Sequence, residues 1–143
     1  MKDILELKIK MEGIEIDFSE GLKIKYNSGD VGGFIKIIYD HHQDCCESVY
    51  ADFDVFKHYI NDIQAMSDIE QIRIKGIEGE GFVIFFEGDF SVWGDYYDQK
   101  VGVFVPCYNS QNGYYSSQLD LLIESEVGNY KIDLTEFTCD RVA

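Results

Sequence analysis

Apolar and polar residues alternate with a period of two along most of the chain, the pattern of strands that bury one face and expose the other. Residues 4–10 carry it through Ile4, Leu7 and Ile9, and Ile14, Ile16 and Phe18 carry it again beyond Gly13, where a turn is expected. Leu22, Ile24 and Tyr26 repeat the alternation after Gly21, so the first part of the chain predicts a meander of short strands. Asn27-Ser28-Gly29-Asp30, with Gly32-Gly33 close behind, reads as a turn, and 34–39 is an apolar run that suits a buried strand. Val49, Ala51 and Phe53 alternate with Tyr50 and Asp52 in a further strand. There the period changes. Phe56, Tyr59, Ile60 and Ile63 fall at helical spacing behind Asp54, which predicts one helix near 55–65 with Asp54 as its cap.

Ile69, Ile72, Ile74 and Ile77 precede a glycine-rich break at 76–81, and 82–86 is a second apolar run. The EGEG at 78–81 resembles a phosphate-cradling loop only in its glycines. It carries two glutamates where a phosphate needs positive potential and has no lysine after it. Residues 87–100 mix Glu87, Asp89, Asp95 and Asp98 with Phe90, Trp93, Tyr96 and Tyr97, and read as an exposed loop. Of these, Glu87, Asp89, Trp93, Asp95, Tyr96 and Asp98 form the expected partner contact, since aromatic anchors ringed by charge suit a hot spot. Cover for a sheet edge is the competing reading of the same aromatics. Val101, Val103, Val105 and Cys107 share a face, and the only proline, Pro106, suits a strand end or an edge. Asn112-Gly113 signals a hairpin turn, with Leu119, Leu121 and Ile123 on the returning strand. Gly128-Asn129 is read as the turn of a last hairpin that runs on through Tyr130, Ile132 and Leu134. No repeat or composition break divides the chain. The expectation is a single domain over 1–143 in the α+β class, a mostly antiparallel β-sheet with one main α-helix.

Charge changes the picture of the partner. Lys and Arg number 12 against 27 Asp and Glu, a formal net charge of −15. The acidic residues are ten in 1–50, eleven in 51–100 and six in 101–143, so they form no tail and must cover a folded surface. Direct nucleic-acid binding is disfavoured, because neutralising phosphates takes clustered Lys and Arg. A basic protein partner fits, since complementary fields steer association; plain solubility is the other use of such charge. The opening MKDILELKIK has no continuous apolar core. Neither a signal peptide nor a membrane anchor is expected from it, and a cytoplasmic protein with reduced thiols is.

The reactive side chains gather in 40–47, DHHQDCCE, which holds two of the three histidines and two of the four cysteines. Thiolate sulfur and imidazole nitrogen are the ligands zinc prefers. His41 and Cys45 stand four residues apart, so one turn of helix or a tight loop aims both at a single ion. Cys46 joins them only if the backbone bends, because consecutive strand residues face opposite sides. Cys107 is the fourth ligand best suited by type, which gives a Cys₃His set. His42, Asp44 and Glu47 are reserves, as ligands or as acceptors for an imidazole N–H. The spacing H-x-x-x-C-C is not a standard zinc signature, and cysteines packed as small hydrophobes are the competing reading. His58 is read as an ordinary half-buried histidine on the helix's packing face and Cys139 as idle, neither as a ligand. No catalysis is expected. A cysteine nucleophile would lack an oxyanion hole, and a metal-dependent hydrolase, with Glu47 as its base, is the alternative that would need a substrate pocket.

Two strings carry a family resemblance: HHQDCCESVY at 41–50 and PCYNSQNGYYSSQL at 106–119. Together they resemble a family of small phage and prophage proteins of Gram-positive bacteria, with an H-x-Q-D-C-C-E motif followed by an N-G-Y-Y-S turn. The first motif falls on His41, Gln43, Asp44, Cys45, Cys46 and Glu47, and the second on Asn112, Gly113, Tyr114, Tyr115 and Ser116. Small, strongly acidic phage proteins of this kind resemble inhibitors of host defence. The resemblance therefore implies an anti-CRISPR role: binding the basic effector nuclease of a type II system and blocking its engagement with target DNA. Cys107 lies outside the shared turn motif.

Overall fold

Gly13, the expected turn, instead sits inside one strand. In the computed structural model β1 runs unbroken over Lys2–Asp17, and Gly13 adopts φ +58° within it. Up to that point the odd residues Leu7, Ile9 and Met11 are buried; beyond it the even residue Ile14 is. One extra residue in left-handed conformation shifts the pleat by one, as a β-bulge does, and glycine takes that conformation without a Cβ clash. The apolar side therefore stays on the same face although the sequence phase changes. The structure describes residues 1–18, 21–42, 48–66, 68–92, 95–110 and 118–139; for 41, 42, 48, 89–92 and 95–99 it describes the backbone alone.

The other strands are β2 (Leu22–Ser28), β3 (Val31–His42), β4 (Ser48–Ala51), β5 (Ile69–Ile77), β6 (Gly81–Val92), β7 (Asp95–Ser110), β8 (Gln118–Ser125) and β9 (Gly128–Asp133). They form a single nine-stranded sheet in the order β4-β7-β6-β5-β1-β2-β3-β8-β9. Every neighbouring pair is antiparallel. The two ends of β1 serve different neighbours, Lys2 to Met11 pairing with β5 and Glu12 to Asp17 with β2. Inner-face residues from both halves of the sheet, among them Ile72, Ile84 and Val103 from one and Ile24, Ile37 and Leu121 from the other, belong to one core. The sheet must therefore fold over on itself about β1. Consistent with that, β4 at one edge touches β3 and β8.

The α+β class with a mostly antiparallel sheet is thus observed, but its helical part is shorter and starts earlier than the spacing suggested. A 3-10 turn covers Phe53–His58, and α1 covers only Ile60–Gln64. The cap is Asp52 rather than Asp54: its carboxylate accepts a hydrogen bond from the Asp54 N–H at 3.1 Å. A tertiary contact sets this start, because the Asp52 N–H donates to the Pro106 carbonyl at 3.0 Å and ties the end of β4 to β7. β-branched and aromatic residues are also poor helix formers, which favours short turns over a continuous helix. Phe56 and Ile63 are fully buried, as their spacing requires. His58 is exposed.

Pro106 lies within β7 rather than at its end. Gly81↔Pro106 is the last rung with β6, and Ala51↔Cys107 is the last rung with β4. Beyond the last β6 rung, Cys139 takes over pairing with β7: its N–H donates to the Cys107 carbonyl, and its carbonyl accepts from the Asn109 N–H. Proline, which lacks a donor, is tolerated where one partner hands over to the next. A second 3-10 turn, Thr135–Phe137, sets Phe137 against β5, where a Cβ on Gly76 would overlap its ring. The last hairpin turns at Glu126 and Val127, with Ser125 paired to Gly128, slightly earlier than expected. The turn expected at Asn112-Gly113 lies outside the described residues.

Candidate functional site

The His/Cys segment joins two strands of the core. β3 ends at His41 and His42, whose backbones pair with Leu119 and Gln118, and β4 begins at Ser48. Gln43, Asp44, Cys45, Cys46 and Glu47 lie outside the described residues, as do the side chains of His41 and His42. Cys107 is described, and its surroundings are apolar. It is fully buried in the core, and its thiol contacts the Val105 carbonyl at 3.7 Å. Burial pushes that thiol up to about 12. Cys107 pairs with Ala51, three residues beyond Ser48, so it lies roughly 10 Å along the sheet from the start of β4 at the usual strand rise. Among the described residues no three His, Cys, Asp or Glu side chains converge to hold a metal ion.

One carboxylate that the sequence reading passed over stands beside this segment. Asp120 of β8 pairs with Asp40 of β3 on one side and Asp133 of β9 on the other. It is only 1 % exposed, whereas both neighbours are exposed. Its Oδ1 accepts from Gln118 Nε2 at 2.7 Å; its Oδ2 has no hydrogen bond, and Lys131 Nζ lies 3.7 Å away. An orphaned buried carboxylate oxygen is costly unless something satisfies it. On β8 Asp120 alternates with the core-facing Leu119, the rung partner of His41, so strand alternation sets it on the opposite side of the sheet from that rung. Its sequence context, a lone polar residue between Leu119 and Leu121, looks like an ordinary outward-facing strand position. Only the cross-strand row of aspartates sets it apart.

The acidic aromatic stretch at 87–98 is not a loop. β6 and β7 stay paired through Asp89↔Asp98, Phe90↔Tyr97 and Ser91↔Tyr96 to Val92↔Asp95. Aromatic residues favour strands, and here they extend a hairpin that charge density made look like a loop. Glu87 is engaged within the sheet, paired with Arg73 and accepting from Gln71 Nε2 at 3.3 Å. Trp93 and the side chains of Asp89, Asp95, Tyr96 and Asp98 lie outside the described residues.

A cleft of about 460 Å³ opens between β3 and the segment that leaves β4. Tyr39, Tyr50 and Phe53 supply aromatic walls, Asp52 and Asp54 carboxylates, and Lys36 one ammonium group. Tyr39 stacks on Phe53, with ring centroids 6.1 Å apart and planes 5° from parallel, and Tyr50 tilts against Tyr108 at 5.0 Å. Burial, followed by the nearby Tyr108, Asp52 and Tyr39, raises the Tyr50 phenol above its ordinary value. The neighbourhood thus disfavours negative charge. Backbone bonds bring further acid to the same end of the sheet: Cys107 N–H to the Glu80 carbonyl, Asp52 N–H to Pro106, and Gly79 N–H to Glu136. Glu136 pairs with Lys2 at 2.9 Å, while Asp52, Asp54, Glu78 and Glu80 enter none of the ion pairs between described residues. Sequence reasoning missed this cleft because its two sides come from β3 and β4, which are far apart in the sheet order. The alternation marked Tyr39 and Tyr50 only as strand residues.

No family model, no curated protein and no solved structure matches the chain. No helix among the described residues is long and apolar enough to cross a membrane.

Proposed function

We propose that the protein is an acidic, zinc-stabilised binding protein of the bacterial cytoplasm that occupies the basic surface of a nucleic-acid-handling host protein. The host protein in this reading is the effector nuclease of a type II CRISPR system, and the outcome is a block on its engagement with target DNA. The observation that carries the reading is uncompensated negative charge: −15 over a single folded sheet, with Asp52, Asp54, Glu78 and Glu80 at one end in none of the ion pairs between described residues. Carboxylates on such a surface stand in for phosphates, and complementary fields raise the rate of encounter. The choice of a defence nuclease rests on the resemblance at 41–50 and 106–119. The far end of the β6–β7 hairpin, with Asp89, Asp95, Tyr96 and Asp98, belongs to the proposed contact together with Trp93; Glu87, tied to Arg73, does not.

DNA cleavage by purified type II effectors tests this directly. Inhibition should appear near equimolar protein, weaken as salt rises, and weaken on reversing Asp95 and Asp98 together. Unchanged cleavage by several effectors at large excess, with no basic host protein retained in a pull-down, would end the inhibitor reading.

In the same proposal zinc binds at the β3–β4 connection through His41, Cys45 and Cys46. An oxygen from Asp44 or Glu47 completes the set in place of the core-packed Cys107, and His42 is a further reserve. Bound zinc would supply cross-linking of the connection, since a closed thiolate site couples metal to folding. Elemental analysis of protein purified without added metal should find about one zinc per chain, reduced in Cys45→Ser. Zinc near zero in the wild type removes the metal. Turnover of ester or phosphoester substrates that tracks metal content would replace the binding protein with a hydrolase.

A further inference from the structure

We infer that the cleft between β3 and the end of β4 receives an arginine side chain of the basic partner, an inference that rests on the partner being basic. The walls and the charge both select a guanidinium group. Phe53 is buried, its ring stacked between Tyr39 and Phe56, and the aromatic rings at the opening are those of Tyr39 and Tyr50. Aromatic faces attract cations, and a planar guanidinium stacks on them better than an ammonium does. Asp52 and Asp54 stand at the mouth and enter no ion pair among the described residues, and Asp54 is exposed. A carboxylate is the group that guanidinium forks match. The cleft's volume, about 460 Å³, is ample for one arginine side chain.

Lys36 lines the same cleft and makes the sign of the ligand testable. Its ammonium group opposes a cationic occupant and would help an anionic one. Removing it should therefore tighten arginine binding, and removing a carboxylate should loosen it.

The probe is a blocked tetra-arginine peptide titrated by calorimetry and by NMR of the tyrosine rings, with tetra-citrulline as the uncharged control. The wild type should bind the arginine peptide with perturbation of Tyr39 and Tyr50 signals, and should not bind the citrulline peptide. Asp54→Asn and Tyr50→Leu should each weaken binding about threefold, in the range of exposed ion pairs and cation–π contacts. Lys36→Met should strengthen it by a similar factor. Glu126→Gln removes the same charge at the turn between β8 and β9, and should leave affinity unchanged. Melting temperatures of all four variants confirm that each is folded.

Equal losses for Asp54→Asn and Glu126→Gln would show attraction to net charge rather than to the cleft, and would overturn the inference. So would weaker binding in Lys36→Met. Peptide binding with the expected pattern but no nuclease inhibition leaves the cleft standing and removes the proposed partner. Nuclease inhibition undiminished by Asp54→Asn and Tyr50→Leu keeps the partner and removes the cleft.

Discussion

At Cys107 two chemistries compete for one thiol. A zinc ligand must be a thiolate, whereas a buried thiol is held protonated, and here burial sets its pKa at about 12 against an ordinary 9.0. The unfolded chain loses this proton first. The thiol's contribution to stability is therefore complete below about pH 9 and is lost as pH rises towards about 12. Urea midpoints should fall between about pH 8 and pH 10.5 in the wild type, and Cys107→Ala should flatten part of that fall. The same substitution lowers the midpoint at neutral pH, because it leaves a gap in the core. If Cys107 held zinc as a thiolate, only the unfolded chain would carry its proton, stability would rise with pH up to about 9, and Cys107→Ala would remove a rise instead of a fall.

Strand β1 shows how an element can outgrow its sequence signal. A glycine between two alternating runs normally marks a turn. Here the runs differ in phase, and a left-handed glycine lets them share one strand and one buried face. Gly13→Ala should destabilise the protein by roughly 1–2 kcal/mol, the cost of a Cβ in that conformation. A Cβ there would also press on Asn27 Nδ2 at 3.3 Å. Denaturant unfolding measures the loss. No change would mean that the bulge relaxes and that β1 tolerates a different register with β2. The β6–β7 hairpin makes a related point: charge suggested a loop, and backbone pairing continues to Val92↔Asp95.

For the molecule as a whole, the charge acts on the protein before any partner arrives. Five ion pairs link described residues, and four of them involve at least one well-exposed side chain, so they offset little of the self-repulsion that accompanies −15. Salt screens that repulsion over about 8 Å at physiological strength. The melting temperature should therefore rise as sodium chloride is added while affinity for a basic partner falls. A melting temperature that drops with salt would mean that favourable ion pairs outweigh the repulsion.

Most of the sheet was legible in the residues themselves. Leu22, Ile24 and Tyr26, Val103, Val105 and Cys107, and Leu119, Leu121 and Ile123 are buried as their alternation requires, because the side-chain period of a strand is a local property. The helical face, Phe56 with Ile63, was legible for the same reason. The sequence also marked DHHQDCCE and the −15 charge, since composition needs no fold to be counted. What the alternation could not state is which strands are neighbours. The placement of Cys107 opposite Ala51, the handover at Pro106, the start of the 3-10 turn at Asp52 and the row of Asp40, Asp120 and Asp133 all follow from pairing between distant segments. So does the cleft, whose aromatic and acidic sides meet only because the sheet folds over and brings its β4 edge against β3. Periodicity tells each strand which face to bury, but it is the shared core that decides which strands bury those faces together.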